Sequence, residues 1–309
     1  MKVKVTTLAF SKNEFLVNEL KKTFPDAVVN EEGKRFNGDE LITYLEDADA
    51  AIIGLEQITG EILEKLPKLK IIAKYGVGLD NIDLVACQQR NVIIGWTGGV
   101  NKKSVAEMTL GFMIGLSRNL FTTSNLLREL IWNKSGGKSL YNKTIGIIGF
   151  GNIGREVAAF LQPFQCKILV NDIVNFDELS GYSNIFQVDK VELYSKADII
   201  TIHTPLNDQT RNLVTKEVFQ QMKPTSFLIN TARGGIVNEK DLKEALINNL
   251  IAGAALDVYE EEPPIDKEML ALPNLICTPH TGGNSYEAVV AMGESAISHL
   301  KNYKTKTFS

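Results

Sequence analysis

Three charged residues in the second half of the chain stand just past runs that are predicted to be strands. Arg233 follows the run 227–232 and precedes two glycines, so its guanidinium could grip a carboxylate in a bidentate manner. Glu262 ends an acidic loop that contains three adjacent glutamates, and His280 follows a Thr-Pro pair after another apolar run. A surface ion pair, a solvated acid and a loop histidine are the commoner roles of such residues. Taken together, their types suit proton transfer to a substrate that carries a negative charge.

A glycine-rich turn earlier in the chain indicates a nucleotide site. Residues 149–154 read Gly-Phe-Gly-Asn-Ile-Gly and match the pattern G-x-G-x-x-G. In that pattern Gly149 makes the tight turn, Gly151 lets a pyrophosphate approach the backbone, and Gly154 lets a helix pack on a strand. The motif by itself also arises by chance in glycine-rich loops, so its context decides.

The context of the turn fits a dinucleotide-binding unit. A short β-branched run, 144–148, precedes it, a helix is predicted over about 152–161, and a second strand, 167–171, leads to Asp172. Asp172 stands 172 − 154 = 18 residues past the last glycine, near the offset at which an acid binds an adenosine ribose. The 2′-phosphate of NADP would meet a like charge there and would need a nearby arginine to bind it. Residues 173–175 are Ile, Val and Asn, so the pattern favours NAD over NADP. With Arg233, Glu262 and His280, the unit predicts hydride transfer.

Composition argues against other classes of function. Apolar residues make up 44% of the 309 residues, charged residues 23%, and the net charge is −4 without a basic patch, so nucleic acid is not expected as a partner. The first ten residues alternate like a strand instead of forming a signal peptide, and no apolar run has the length of a membrane span. The few cysteines and histidines are widely spaced, which predicts no metal site and a reducing, cytoplasmic compartment. They are Cys87, Cys166, Cys277, His203, His280 and His299.

Short apolar runs, such as 3–8, 27–29 and 50–53, are predicted to be strands and alternate with helical stretches throughout the chain, which predicts an α/β fold with parallel sheets. We expect two doubly wound domains: a Rossmann nucleotide-binding domain over 98–285, and a smaller flavodoxin-like substrate domain formed by 1–97 and 286–309. The substrate is expected in the cleft between them. In the smaller domain the glycine-containing segment 74–81 follows a strand directly, where it either exposes N–H groups to an anion or is a plain turn.

Two segments near the start of the larger domain suggest an assembly. The helix predicted over 105–120 is apolar around most of its circumference, so it is expected to be buried between domains or subunits. The stretch 124–141 is polar, contains Trp132 and two glycines, and is typical of an arm or linker. We expect a homodimer that forms through this helix and this arm.

The order and spacing of these motifs resemble the NAD-dependent D-2-hydroxyacid dehydrogenase family, most of all its phosphoglycerate dehydrogenase branch. Besides the glycine turn, the similar segments are 203–206, 230–235, 255–263 and 278–280, together with 74–83, similar to the family's substrate loop, and 101–107, similar to its interdomain helix start. The separations 262 − 233 = 29 and 280 − 262 = 18 agree with the family's Arg, Glu and His. The resemblance selects Glu262, the glutamate before the proline.

The resemblance implies a role for each matching residue. Arg233 would bind the substrate carboxylate and keto oxygen, His280 would donate the proton, and anionic Glu262 would favour the protonated imidazole. The implied cofactor contacts are Gly149, Gly151, Asn152, Ile153, Gly154, Asp172, His203, Thr204, Pro205, Thr231, Ala232, Asp257, His280 and Gly282. The implied substrate contacts are Lys74, Gly76, Val77 and Gly78, with Arg233. Lys74 stands where many relatives have arginine and Gly98 replaces a common proline, so the choice of 2-oxo acid stays open.

The implied activity is reversible hydride transfer between NAD(H) and a 2-oxo acid or D-2-hydroxy acid, by a homodimer that contacts neither membrane nor nucleic acid. The C-terminal regulatory domains of many phosphoglycerate dehydrogenases are not expected. One alternative is a non-catalytic NAD-sensing scaffold, as in the corepressors that resemble this family. Another is oxidation of formate or phosphite, although formate dehydrogenases carry glutamine where this chain has Glu262. The substrate side chain, the physiological direction and the pathway stay open.

Overall fold

The computed structural model describes residues 1–176 and 181–308, with side chains as far as 305. The chain folds into two compact units. The first comprises Met1–Asn101 and Asn284–Ser309, and the second comprises Lys102–Gly283. The assignment of the first unit to the substrate and of the second to the dinucleotide stays a prediction.

The first unit contains a parallel four-stranded sheet in the order β1-β2-β3-β4. Val28 forms a parallel bridge to Lys4 on the free side of β1, which gives the flavodoxin-like order 2-1-3-4-5. The strand expected at 27–29 is therefore no more than this bridge. The elements are β1 (Val3–Val5), α1 (Leu8–Ser11), α2 (Glu14–Thr23), α3 (Gly38–Leu45), β2 (Ala50–Ile53), α4 (Gly60–Glu64), β3 (Ile71–Lys74), α5 (Leu84–Gln89) and β4 (Ile93–Gly95).

Side-chain caps start α2, α4 and α5 of this unit, at Asn13, Thr59 and Asp83. The Asn13 side chain accepts a hydrogen bond from the N–H of Leu16 (3.1 Å), and the Asp83 side chain accepts one from Ala86 (2.9 Å). Such caps satisfy backbone donors that have no partner inside the helix. The residues of β2 and β3 are all buried, as expected for parallel strands covered on both faces.

The second unit contains a parallel seven-stranded sheet in the order β11-β10-β9-β8-β5-β6-β7. The chain order reverses between β5 and β8, and open α/β sheets bind ligands at the carboxyl ends of strands beside such a switch. The elements are α6 (Lys102–Ser117), α7 (Leu120–Arg128), β5 (Thr144–Ile148), α8 (Asn152–Phe160), β6 (Lys167–Asn171), β7 (Ile185–Gln187), α9 (Lys190–Lys196), β8 (Ile199–Ile202), α10 (Lys216–Gln221), β9 (Phe227–Asn230), α11 (Glu239–Ile247), β10 (Gly253–Leu256), α12 (Lys267–Leu270) and β11 (Leu275–Cys277).

The sheet of the second unit separates two apolar cores. Phe219, Leu228 and Leu246 belong to one core, and Ile147, Val157 and Ile229 belong to the other. Leu228 and Ile229 are neighbours on β9, so alternate residues of one strand supply opposite cores. Both faces of this sheet are therefore covered, and its chemistry is confined to its edges and strand ends.

Helices α6 and α7 lie where the sequence predicted a buried helix and a polar arm, and they match those predictions in part. The helix expected at 105–120 to be buried between domains or subunits is α6, and the packing that buries residues such as Phe112 and Met113 is on α8, β9 and β10 of its own unit. The arm expected at 124–141 begins as a helix, because α7 continues to Arg128. None of the residues of α7 is buried.

A final long helix, α13 (Tyr286–Phe308), belongs to the first unit and packs on α2 and β3. Across residues 1–176 and 181–308, no helix combines the length and the apolar character that crossing a membrane requires.

Candidate active site

The glycine turn forms a cradle at the carboxyl end of β5. Gly149 has φ +91°, and a Cβ atom placed there would lie 2.6 Å from the carbonyl oxygen of His203. A Cβ atom on Gly154 would collide with the carbonyl oxygen of Gly149, whereas one on Gly151 would meet nothing within 4 Å. Gly149 and Gly154 therefore close the turn, and Gly151 leaves open space in front of the backbone that starts α8. This arrangement fits a pyrophosphate.

Asp172 lies one residue beyond β6 and holds the glycine turn. Its Oδ2 accepts a hydrogen bond from the N–H of Phe150 (2.6 Å), and its Oδ1 accepts one from Val174 (3.0 Å). The residue is partly exposed, so lone pairs on both oxygens remain for a ribose hydroxyl. The geometry therefore fits the predicted ribose contact.

An arginine beside this acid escaped the sequence reasoning. The Arg155 guanidinium carbon lies 4.9 Å from the ring centre of Phe150 and 4.8 Å from that of Phe176. The two rings meet edge to face at 5.6 Å. Cation–π contacts of this kind tie α8 to the segment that carries Asp172. The pattern Phe-x₄-Arg within the turn is the only local signal of this contact.

The end of β8 brings two further predicted cofactor residues beside the turn. The N–H of His203 donates to the carbonyl oxygen of Ile148 (2.7 Å), which extends the ladder of β5 and β8 by one residue. Within the described parts of the chain, the buried His203 Nδ1 and Thr204 Oγ1 have no hydrogen-bond partner. Buried polar atoms are rarely left unsatisfied, so this pair fits a site that receives a polar ligand.

His203 is held neutral by its surroundings. Burial lowers the pKa of its imidazole to about 3. Its Nε2 lies 3.0 Å from Thr201 Oγ1, and either tautomer allows a hydrogen bond there.

Arg233 follows β9 on a loop that buried Asn230 shapes. The Asn230 side chain donates to the carbonyl oxygen of Arg233 (2.8 Å) and accepts from the N–H of Ala232 (3.0 Å). A Cβ atom on Gly234 would collide with the backbone of Tyr259, so only glycine lets this loop lie against the loop after β10. The sequence analysis included Asn230 in the family-like segment 230–235, but it did not predict that this side chain shapes the loop.

The structure brings Glu262 and His280 together. The His280 Nδ1 atom lies 2.8 Å from Oε2 and 3.0 Å from Oε1 of Glu262. Glu262 Oε1 also accepts from the N–H of Tyr259 (3.2 Å). Glu260 instead exchanges contacts with Glu239 at the start of α11 (2.5 and 3.4 Å). Of the adjacent glutamates that the residues alone could not separate, Glu262 is therefore the one placed to hold the imidazole.

The loop that carries His280 is bound to a buried acid. Asp257 is 1% exposed and follows β10 directly. Its Oδ1 accepts from Thr278 Oγ1 (2.5 Å) and from the N–H of Thr281 (2.8 Å), and its Oδ2 accepts from the N–H of Gly282 (2.7 Å). Two predicted cofactor residues, Asp257 and Gly282, are thus direct partners of each other.

The remaining predicted cofactor residues of the second unit lie at the same strand ends. Thr231 Oγ1 lies 3.1 Å from Thr109 Oγ1 on α6, and both residues are buried. Asn152 and Ile153 open α8, and Pro205 follows the end of β8 by three residues.

The predicted substrate residues Lys74, Gly76, Val77 and Gly78 belong to the first unit. Lys74 ends β3 and is buried, and its ammonium donates to the carbonyl oxygen of Gly54 (2.5 Å) and to Asn81 Oδ1 (2.6 Å). Gly76 has φ +127°, which favours glycine. These two contacts of Lys74 are to loops of its own unit, and a role toward substrate stays a prediction.

No cluster of three or more metal-ligating side chains occurs in the part of the chain that the structure describes. The three cysteines are free thiols. Burial raises the pKa of Cys87 to about 11 and raises the pKa values of Cys166 and Cys277.

Comparison with known proteins identifies the relatives of this chain. Residues 110–282 match the family model for the D-isomer specific 2-hydroxyacid dehydrogenase, NAD binding domain. The chain is 38% identical to D-3-phosphoglycerate dehydrogenase from Methanocaldococcus jannaschii over 267 residues, which are 85% of this chain and 51% of that enzyme. It is 36% identical to hydroxypyruvate reductase from Thermotoga maritima, over 85% of this chain and 87% of that one.

Solved structures of relatives have the same fold. NAD-dependent formate dehydrogenase from Staphylococcus aureus, in complex with NAD, superimposes with a TM-score of 0.84 at 33% identity, covering 98% of this chain and 96% of that one. The chain spans only about half the length of the phosphoglycerate dehydrogenases that it matches, 51% and 53% for two of them.

Proposed function

This chain belongs to the D-isomer specific 2-hydroxyacid dehydrogenase family, and from that premise we propose that it transfers a hydride between NAD(H) and a 2-oxo acid or D-2-hydroxy acid. The observation that carries the proposal is the contact of His280 with Glu262, at 2.8 Å, on the strand-end edge that also bears the glycine turn. A paired imidazole and carboxylate on the same strand-end edge as a dinucleotide cradle would provide a proton donor for the reduction of a hydride acceptor.

The residues at the carboxyl ends of β5, β6 and β8 would hold the cofactor. The open space at Gly151 and the start of α8 suit the pyrophosphate, and Asp172 suits the adenosine ribose. NAD is preferred over NADP, because the Asp172 carboxylate would repel a 2′-phosphate. When bound, the cofactor supplies or accepts the hydride.

The chain's own residues would bind the acid and move the proton. Arg233 is proposed to bind the substrate carboxylate, since a guanidinium matches its planar geometry. As the 2-oxo carbon is reduced, His280 gives a proton to the carbonyl oxygen, and a hydroxyl group results. The Glu262 carboxylate keeps the imidazolium in place and compensates its charge. In the oxidative direction His280 accepts the same proton.

We further propose that two copies of the chain associate through the segment from α7 to Tyr141. This segment exposes several large apolar side chains, including Leu130 (91% exposed), Trp132 (77%) and Leu127 (53%). Contiguous exposed apolar surface is typical of interaction sites. A monomer mass in light scattering at micromolar protein would contradict the dimer, and Trp132→Ser is expected to shift the mass toward the monomer.

We propose a cytoplasmic location because the cysteines are free thiols. All three cysteines are unpaired and two are buried, as is usual in a reducing compartment.

The test of the function is NADH oxidation by the purified protein with glyoxylate, pyruvate, hydroxypyruvate, 3-phosphohydroxypyruvate, oxaloacetate and branched 2-oxo acids. NADPH and a His280→Ala variant are run alongside, and NAD with formate covers the alternative suggested by one structural relative. Turnover of a 2-oxo acid that the variant loses supports the proposal and names the substrate. Tight NADH binding without turnover of any acid would contradict it. The relatives reported above carry enzyme names, so the corepressor alternative is not proposed.

A further inference from the structure

We propose that Asp257 is the positioning residue of His280: its buried carboxylate fixes the loop that presents the imidazole to Glu262. The inference rests on the proposed function for its catalytic consequence, whereas the hydrogen bonds themselves belong to the second unit alone. The family resemblance implied only a cofactor contact for Asp257. The contacts of its carboxylate point to a different task.

Within the residues that the structure describes, the donors to this carboxylate come from one short loop. Thr278 Oγ1 and the N–H of Thr281 bind Oδ1 at 2.5 and 2.8 Å, and the N–H of Gly282 binds Oδ2 at 2.7 Å. These donors flank His280 on both sides. Hydrogen bonds to an ionised acceptor are roughly twice as strong as those between neutral groups. The loop is therefore held at three points around the residue whose side chain moves the proton.

The sheet explains why Asp257 reaches this loop. Strands β10 and β11 are parallel neighbours, with Leu256 opposite Cys277. Asp257 and Thr278 are the residues that directly follow these two strands, so the register places the carboxylate beside the start of the loop. A change in register by one residue would point the carboxylate to the other face.

Gly282 permits the close approach. A Cβ atom at this position would lie 2.9 Å from Asp257 Oδ2, closer than such atoms come in folded proteins. On its other side Gly282 accepts a hydrogen bond from Ser104 Oγ at 2.6 Å through its carbonyl oxygen. Gly282, at the end of the loop, is thus hydrogen-bonded both to Asp257 after β10 and to Ser104 of α6.

The loop needs such support because His280 has an unfavourable backbone conformation. Its φ is +54°, in the left-handed region that residues with a Cβ seldom occupy. Strained residues of this kind persist where their surroundings determine the backbone. With the loop released, the imidazole would lose its alignment with Glu262, and misplacement by about 1 Å can reduce a rate by roughly 100-fold.

The test is Asp257→Asn, which keeps the shape but turns one acceptor oxygen into an NH₂ donor that faces a backbone N–H. In the cofactor-free protein we expect the amide hydrogens of Thr281 and Gly282 to exchange with solvent at least about tenfold faster. We expect kcat for 2-oxo acid reduction to fall by roughly 10-fold to 100-fold, while the Kd for NADH changes by less than about threefold.

Asp198→Asn is the matched control. Asp198 accepts from the N–H of Thr144 and from Lys223 Nζ, both at 2.9 Å, but it lies before β8 at the opposite edge of the same sheet. This variant should alter neither the exchange of the His280 loop nor kcat. Equal acceleration in both variants would overturn the proposal, because it would indicate general loosening of the unit.

Thr278→Val covers the case in which Asp257→Asn does not fold, since it removes one donor and keeps the carboxylate. A smaller increase in exchange with a smaller loss of kcat is expected. Unchanged exchange with a large rise in the Kd for NADH would overturn the proposal and assign Asp257 to the cofactor alone. If the wild-type protein reduces no 2-oxo acid, the proposed function fails, and the exchange measurement still decides whether Asp257 holds the loop.

Discussion

Replacing Glu262 by glutamine removes a charge from the proposed proton donor and leaves its hydrogen bond possible. The Glu262 and His280 side chains approach to 2.8 Å, and 39% and 43% of their surfaces remain exposed. A charge-assisted bond contributes about 1.5–3 kcal/mol, against about 0.5–1.5 kcal/mol for a neutral one. Solvent at a pair this exposed weakens the advantage. We therefore expect the substitution to cost the transition state about 1 kcal/mol, which is roughly a fivefold loss of kcat/KM.

The assay is steady-state reduction of the best 2-oxo acid at several salt concentrations. Because the wild-type pair is partly exposed, added salt should screen it and lower the kcat/KM of the wild-type protein toward that of the variant. The kcat/KM of the variant should change little with salt. Glu261→Gln is the control, since Glu261 is an exposed neighbour that carries the same charge. Full activity of Glu262→Gln, or an equal loss in Glu261→Gln, would refute the reasoning that Glu262 holds the imidazolium.

Three further predictions concern the cofactor side of the second unit. His203 should make the protein less stable in acid: its pKa of about 3 in the folded state lies below about 6.5 in the unfolded state, so its stability contribution is complete above pH 6.5 and falls as the pH decreases toward 3. Urea unfolding at pH 7 and pH 5 should show a loss from this residue of about 2 kcal/mol that His203→Gln lacks, and equal losses in both proteins would contradict the assignment. Gly149→Ala should abolish tight NADH binding in fluorescence titration, because the φ of +91° and the 2.6 Å approach to the His203 carbonyl oxygen leave no room for a methyl group, and an unchanged Kd would argue against the cradle. Arg155→Met removes about 1 kcal/mol of cation–π contact with Phe150 and Phe176, which loosens the segment after Asp172, so it should raise KM for NADH by up to roughly fivefold. It should leave turnover with reduced nicotinamide mononucleotide, which has no adenosine, unchanged; an equal effect on both donors would show that Arg155 does not act at the adenosine end.

The sequence predicted most of the fold because the relevant signals are local. The alternation of short β-branched runs with helical stretches predicted parallel sheets, and the run from Thr144 to Asp172 predicted strand, turn, helix and second strand within about thirty residues. Short elements were the least predictable. The strand β7 has only three residues and was missed, and the strand expected at 27–29 forms a single bridge, because so few residues carry too little pattern.

What the sequence by itself determined was the glycine pattern and the three charged residue types at strand ends, which predict a kind of chemistry. Which atoms meet was decided only by the tertiary structure. The residues alone left three adjacent glutamates open, and the family resemblance selected Glu262; the structure supplies its 2.8 Å contact with His280. The structure also revealed Asp257 as a partner of the His280 loop, 21 to 25 residues away in the chain. The physical reason is that parallel strands bring their carboxyl ends to one edge. A shift in register by one residue, which changes the local sequence not at all, would send each of these side chains to another place.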